Sequence, residues 1–205
     1  VRKISWTSGT IYEMYRHDYD INNPSPQTNS SSLYQTNYYV MNSDFRVYEC
    51  ISNGADPTNS GKGIASLEEP THTDLQPRLE SDGYVWKYLY TIKPGDIVKF
   101  DSVEYVPVPS NWSTNTDAAD VRNAAVDGQI QTILITDVTS ASYQFSGTKN
   151  NVPIRGDGHD GEASVTFVNG KPTSVQVTNG GAGYTFATLD LDSVVTGSNA
   201  VFTVI

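Results

Sequence analysis

The stretch Asp82-Gly83-Tyr84-Val85-Trp86-Lys87-Tyr88-Leu89-Tyr90-Thr91-Ile92 constrains this chain more than any other, because a turn signal feeds a segment with aromatics at every second position. In a strand, successive side chains point to opposite sides. Tyr84, Trp86, Tyr88, Tyr90 and Ile92 therefore share one face, leaving Val85, Lys87, Leu89 and Thr91 on the other. At ~150–250 Å² per aromatic and ~25 cal/mol/Å², the four rings carry roughly 15–25 kcal/mol of gross hydrophobic drive before entropy is subtracted. Such a face is expected inside a domain core, or partly in a subunit interface.

The rest of the composition points the same way. Thirteen tyrosines against two methionines, with 16 glycines and 10 prolines among many Ser, Thr and Asn, describe short strands joined by turns. The expected strands of the first half are Ile4–Thr7, Thr10–Tyr15, Tyr38–Met41, Phe45–Ile51, Tyr84–Ile92, Ile97–Phe100 and Glu104–Val108. Residues 53–82 lack regularity and read as a surface excursion that a partner could grip. One helical window, Asp117–Val126, has Thr116 or Asp117 placed to cap it and Asp127-Gly128 placed to stop it, and reads as a connector.

Beyond that window the sequence duplicates itself, and a repeat betrays one supersecondary unit used twice. Gly128–Thr136 aligns with Gly170–Thr178, Tyr143-Gln144-Phe145 with Tyr184-Thr185-Phe186, and Ala163–Phe167 with Ala200–Val204. Each copy offers a strand, a loop carrying an inward aromatic, and a second strand. Neither copy can bury a core alone, so the two are expected to pair into one small sheet or sandwich. The second copy's loop, Asn179-Gly180-Gly181-Ala182-Gly183, is glycine-rich. The first copy's, Asp137–Ser142, has no glycine, so the same backbone path is not guaranteed there.

Charge narrows the partners. The net charge is −10, with 14 acids and 9 bases in residues 1–110 and 9 acids and 4 bases in residues 111–205. Neither half offers the basic footprint that nucleic acid or anionic lipid requires. No run of about 18 apolar residues is present to span a membrane. The lone Cys50 leaves no internal disulfide and is expected to be buried. The chain opens on Val1 without a basic-then-apolar leader, as a truncation, an incomplete reading frame or a processed product would.

Motifs that could carry chemistry are sparse. Gly156-Asp157-Gly158-His159-Asp160-Gly161-Glu162 interleaves carboxylates with glycine, as a calcium cage does, but its flanks read as strands and a solvated turn accounts for it. His17-Asp18-Tyr19-Asp20 sets a histidine beside acids without a nucleophile. Gly61-Lys62-Gly63 lacks the spacing of a phosphate loop, and three scattered histidines give no zinc pattern. Asn29-Ser30-Ser31 and Asn111-Trp112-Ser113 match the glycosylation pattern by chance. No catalytic, cofactor-binding or metal-binding residues are assigned, and no cofactor is expected. The rival reading is carbohydrate binding, with Trp6, Trp86 and Trp112 stacking on sugar rings; the strand period of the aromatics favours packing instead.

Taken together, Tyr38–Cys50, Glu69-Pro70-Thr71, Asp82–Ile92 and Glu104-Tyr105-Val106-Pro107-Val108-Pro109 resemble the eighth-gene baseplate wedge proteins of T-even-type contractile-tailed bacteriophages, marine phage relatives included. Trp6-Thr7-Ser8-Gly9-Thr10 and Tyr15–Tyr19 add weaker support, and the likeness spans roughly residues 1–112. The resemblance implies a β-rich structural subunit of the virion tail. Such a subunit is made in the host cytoplasm, associates with itself and with other wedge proteins, and has no enzymatic role. The glycine-rich duplicated end departs from the family and resembles small repeats of marine phage structural proteins. The expected architecture is all-β: a sandwich-like wedge domain over 1–112, a helical connector over 113–127 and a duplicated β module over 128–205. The alternative function is a carbohydrate-binding tail or adhesion module.

Overall fold

The computed structural model describes residues 1–55, 59–116 and 118–205. Strands take 36% of the residues and helices 6%, so the class is all-β. Chain contacts divide it into two units, Val1–Gly54 with Gly63–Ala125, and Ala55–Lys62 with Val126–Ile205.

The first unit is built on one antiparallel sheet. Its strands are β1 (Tyr39–Met41), β2 (Arg46–Ser52), β3 (Arg78–Leu79) and β4 (Val85–Thr91), in the order β1-β2-β4-β3. The β1–β2 turn is held by Asn42, whose Oδ1 accepts the backbone N–H groups of Asp44 and Arg46, both at 2.9 Å. Along β4, Tyr84, Trp86, Tyr90 and Ile92 are buried as the alternation requires. Tyr88 is only half-buried: it sits opposite Tyr48 beside a register shift in β2, and its hydroxyl pairs with Thr91 Oγ1 at 2.8 Å.

The layer over this sheet is irregular chain. Tyr12 sets its ring edge-on to Trp86 at 5.8 Å, and Tyr84 stacks on the same indole at 5.3 Å. The Tyr84 hydroxyl donates to the Ile64 carbonyl and accepts the Tyr12 N–H, tying two loops to β4. Segments 4–7 and 10–15 make isolated bridges, Ser5 to Met41 and Thr10 to Ser66, instead of the expected strands. Residues 104–108 likewise contribute one bridge, Tyr105 to Arg2. Within the stretch 53–82, residues 63–82 are a strap more than an excursion. Ser66, Pro70 and His72 are buried in it, with the Tyr48 hydroxyl donating to the His72 carbonyl and Asn42 Nδ2 to the Pro70 carbonyl. Asp56, Pro57 and Thr58 of that stretch lie outside the described residues.

Ile97–Phe100, expected as a strand, is the end of a helix, α1 (Pro94–Phe100). Pro94 fits the first turn with its preset φ and missing N–H, and Asp96 and Lys99 match the helix dipole at the two ends. The connector helix α2 is shorter than expected, Ala119–Asn123, with Asn115 Oδ1 accepting the Ala118 N–H at its start. Asp117, one of its two expected caps, lies outside the described residues.

The second unit is built from strands and turns. Its main sheet runs β10 (Ala187–Leu189), β7 (Gly147–Gly156), β8 (His159–Val168), β9 (Lys171–Ala182). A ribbon of β5 (Ile133–Asp137) with β12 (Val201–Val204) closes against it, β5 lying beside β9 and β12 beside β10. A short pair, β6 (Ser142–Tyr143) with β11 (Gly197–Ser198), completes it. The β8–β9 turn is Asn169-Gly170, both at positive φ, the combination a tight hairpin favours.

The duplication is legible in the pairing. Each copy's first strand pairs with the other copy's last, β5 with β12 and β9 with β8. Ile133 faces Val204. Under the sequence alignment its counterpart Val175 would face Phe167, but it faces Val165. That displacement of two residues is one full pleat, so no side chain changes face. Both inward aromatics are buried. Tyr143 packs with Phe167, Val152 and Leu191, and Tyr184 with Ile133, Ile154 and Ala163. The glycine-free loop begins as its counterpart does: Asp137 Oδ1 accepts the Thr139 N–H at 2.7 Å and Asn179 Oδ1 the Gly181 N–H at 3.1 Å.

Candidate interaction surface

In the first unit, apolar side chains stand in solvent on backbone that is firmly held. Helix α1 buries no residue, and Val98 and Phe100 on it are 86% and 61% exposed. In the turn that follows, Val103 is 94% and Tyr105 54% exposed. The turn is closed by Ser102, whose N–H donates to the Tyr105 carbonyl and whose Oγ accepts the Tyr105 N–H at 2.9 Å. Its base is clamped by Lys3, which donates its N–H to the Glu104 carbonyl and pairs its Nζ with Asp101 at 2.7 Å.

Arg2 extends this surface. Its backbone bridges Tyr105, and its guanidinium donates to the carbonyls of Gln35 (3.3 Å) and Thr36 (2.8 Å), bringing in the loop that carries Tyr34, 79% exposed. That loop has its own anchor. The buried Glu13 carboxylate accepts the hydroxyls of Ser25 and Thr28 through Oε1 and the Asn37 N–H through Oε2, the last at 3.1 Å. Tyr, Phe and Arg set beside aliphatic groups on a pre-ordered backbone are the residue types that dominate protein interfaces.

The sequence hides this surface because 97–100 and 104–108 read as paired strands. The signals that reveal it are Pro94 with Asp96 and Lys99, which mark a helix, and the apolar residues Val98, Phe100 and Val103 spread among polar neighbours.

The weighed chemical motifs fall elsewhere. Asp157-Gly158 is the β7–β8 turn, and the Asp157 carboxylate accepts the N–H groups of Thr185 and Phe186 and the Thr185 hydroxyl. The hydroxyl bond, followed by the two N–H donors, lowers its pKa to about 2. His159 Nδ1 lies 2.9 Å from Asp160 Oδ2 on the exposed strand end, and Glu162 sits in the β8 ladder between Pro153 and Asn179. Asp18 is clamped by Arg16 through two bonds, and Asp20 Oδ1 accepts the N–H groups of Asn22 and Asn23 in a turn. Lys62 is exposed on a loop. Asn29 occupies a positive-φ turn, and Asn111 Oδ1 accepts the Ser113 hydroxyl. Among the described residues no group of three or more His, Cys, Asp or Glu is placed to hold a metal ion, and no helix is long and apolar enough to cross a membrane.

The three tryptophans share no platform. Trp86 is fully buried, Trp6 is half-buried with its Nε1 donating to Ser66 Oγ, and Trp112 is partly exposed. A groove of about 340 Å³ opens between β10 and β12, lined by Arg155, Thr188, Asp190, Asp192 and Asn199. Its polar groups are largely engaged within the chain: Asp190 accepts the Ser193 N–H and faces Arg155 at 3.3 Å, and Thr188 donates to the Arg155 carbonyl. Its aromatic walls, Tyr143 and Phe202, pack into the core.

Comparison of the chain with family models, with curated proteins and with solved structures returns no match.

Proposed function

We propose that this chain is a non-enzymatic structural subunit of a contractile phage tail baseplate wedge, acting by protein–protein assembly in the virion. The carrying observation is the exposure of Val98, Phe100, Val103 and Tyr105 on hydrogen-bonded backbone, with Arg2 linking the Tyr105 turn to the loop that carries the exposed Tyr34. Holding large apolar groups in water on a clamped backbone gains a monomer nothing and prepares an interface. The wedge-like stretches in residues 1–112 supply the identity of the assembly. The partners are other wedge proteins and further copies of this chain, and the acidic balance keeps nucleic acid and anionic membrane out of that set.

Sedimentation velocity of the full chain, alone and mixed with the products of neighbouring tail genes, tests the reading. The expected outcome is a complex burying on the order of 1,600 Å² or more, weakened by Phe100→Ser, Val103→Ser and Tyr105→Ala. A strict monomer at high concentration that also ignores every neighbouring tail protein would sink it.

A further inference from the structure

Beneath the strap of the first unit lies a histidine whose ring nitrogens have no hydrogen-bond partner. The His72 side chain is 1% exposed, and neither Nδ1 nor Nε2 makes a hydrogen bond. Each nitrogen faces a carboxylate just outside bonding range, Nδ1 with Asp74 Oδ2 at 3.8 Å and Nε2 with Glu80 Oε1 at 3.9 Å. Both oxygens are already shared. Arg78 NH1 lies 3.4 Å from that Asp74 oxygen, and its Nε 3.9 Å from that Glu80 oxygen. The remaining neighbours are the Tyr48 ring from β2, edge-on at 5.3 Å, and the Trp86 backbone from β4. Farther out, Glu68 and Asp82 act on Glu80.

We infer that His72 is a pH-operated latch: the neutral imidazole holds the strap of residues 70–80 on the sheet, and the imidazolium releases it. A second proton would place a charge on a ring with almost no exposed surface, beside the Trp86 backbone and in competition with a guanidinium for the same two carboxylate oxygens. Released, the strap exposes the otherwise buried Tyr48, whose hydroxyl it now satisfies. Burial lowers the His72 pKa and Arg78 adds to it, while Asp74 and the Trp86 backbone act the other way; the net direction is downward, in agreement with the geometry. The sign follows. With the latched pKa below that of the open form, the latch is at full strength above about 6.5 and weakens as pH falls from there toward the latched value, by up to about tenfold in the opening equilibrium per pH unit.

Hydrogen exchange of the full-length chain, corrected for intrinsic rates, reads this directly at about pH 7.5 and about pH 5. Protection at residues 78–80, where the strap pairs with β4, is expected to fall at least about tenfold on acidification relative to β7 and β8. His72→Phe, apolar and similar in shape, is expected to remain protected at both pH values. Arg78→Gln frees the two carboxylates to pair with the imidazolium and is expected to move release to lower pH. The inference is overturned if wild-type protection is unchanged or rises on acidification, if His72→Phe keeps the wild-type pH dependence, or if Arg78→Gln leaves the midpoint in place. Should His72→Phe not fold, the Arg78→Gln midpoint decides.

Discussion

The backbone N–H of Tyr143 donates to the carbonyl of Gly170 at 2.9 Å. By the repeat, the counterpart of that bond is Tyr184 donating to Gly128, and it is present at 3.1 Å. Each copy's inward tyrosine is thus seated on the other copy's leading glycine, as each copy's first strand is paired with the other's last. The two copies are tied to each other at equivalent places, although β7 and β8 of the first copy also pair with each other.

That exchange makes the two glycines sensitive in parallel. Gly128 and Gly170 have φ of +65° and +78°, and a Cβ on either would meet the backbone of the facing tyrosine at 2.5 Å. Gly128→Ala and Gly170→Ala are each expected to cost about 2–4 kcal/mol by urea denaturation. Gly183, at φ +74° with open space around it, isolates the conformational part, so Gly183→Ala should cost about 1 kcal/mol. Equal losses at all three positions would mean that the close approach does not matter.

Acid should reach the second unit late. Asp157 titrates at about 2, held down by the Thr185 hydroxyl and then by the N–H groups of Thr185 and Phe186. A depressed carboxylate contributes stability that is complete above its unfolded pKa of about 3.9 and disappears as pH falls through the folded value. Unfolding followed by circular dichroism should therefore show stability declining between about pH 4 and about pH 2. Asp157→Asn should flatten that slope while lowering stability at neutral pH.

Much of this fold was legible in the residues, and the exceptions share a cause. The alternation of Tyr84, Trp86, Tyr90 and Ile92 is a local pattern with one physical solution, and the repeat aligns Gly128 with Gly170 and Tyr143 with Tyr184. Segments 10–15 and 64–72 were harder, because their residues are buried by packing on someone else's strand. Tyr12 has the composition of a strand residue yet earns its place by an edge contact with Trp86 and by accepting the Thr7 N–H at 2.7 Å. The candidate surface is hidden for the opposite reason. Val98, Phe100 and Val103 have the apolarity of core residues, and only tertiary structure reveals that nothing covers them.

Cys50 should be silent in the native state. It lies opposite Trp86 in the sheet with no exposed surface, and burial pushes its thiol well up, with Glu49 and Asp82 adding to the shift. A thiol reagent at neutral pH is expected to label it only at the rate of sheet opening, and fully in denaturant. Rapid labelling of the folded protein would contradict the packing around Trp86.

Glu13 should matter to the loop more than its single charge suggests. Glu13→Ala would strand the buried Ser25 hydroxyl and remove the partner of the half-buried Asn37 N–H, while the exposed Thr28 hydroxyl keeps Ser30 Oγ, at a cost of about 1–3 kcal/mol. Thr28→Val removes one donor and should cost about 1 kcal/mol. Proteolysis within residues 16–37 should accelerate in the first variant and hardly in the second.

The exposed surface should be neutral for stability and costly for association, a separation that a core reading cannot produce. Phe100→Ser and Val103→Ser remove side chains already in water, so their unfolding free energies should stay within about 0.5 kcal/mol of the parent. Tyr90 is the contrast. It is buried among Met41, Val47, Ile92 and Val106 with its hydroxyl donating to the Pro107 carbonyl, and Tyr90→Ala should cost about 3–5 kcal/mol. If the two serine variants unfold as readily as Tyr90→Ala, the surface belongs to the fold. If they keep full stability and lose at least about tenfold in self-association or in binding a wedge partner, their apolarity serves assembly.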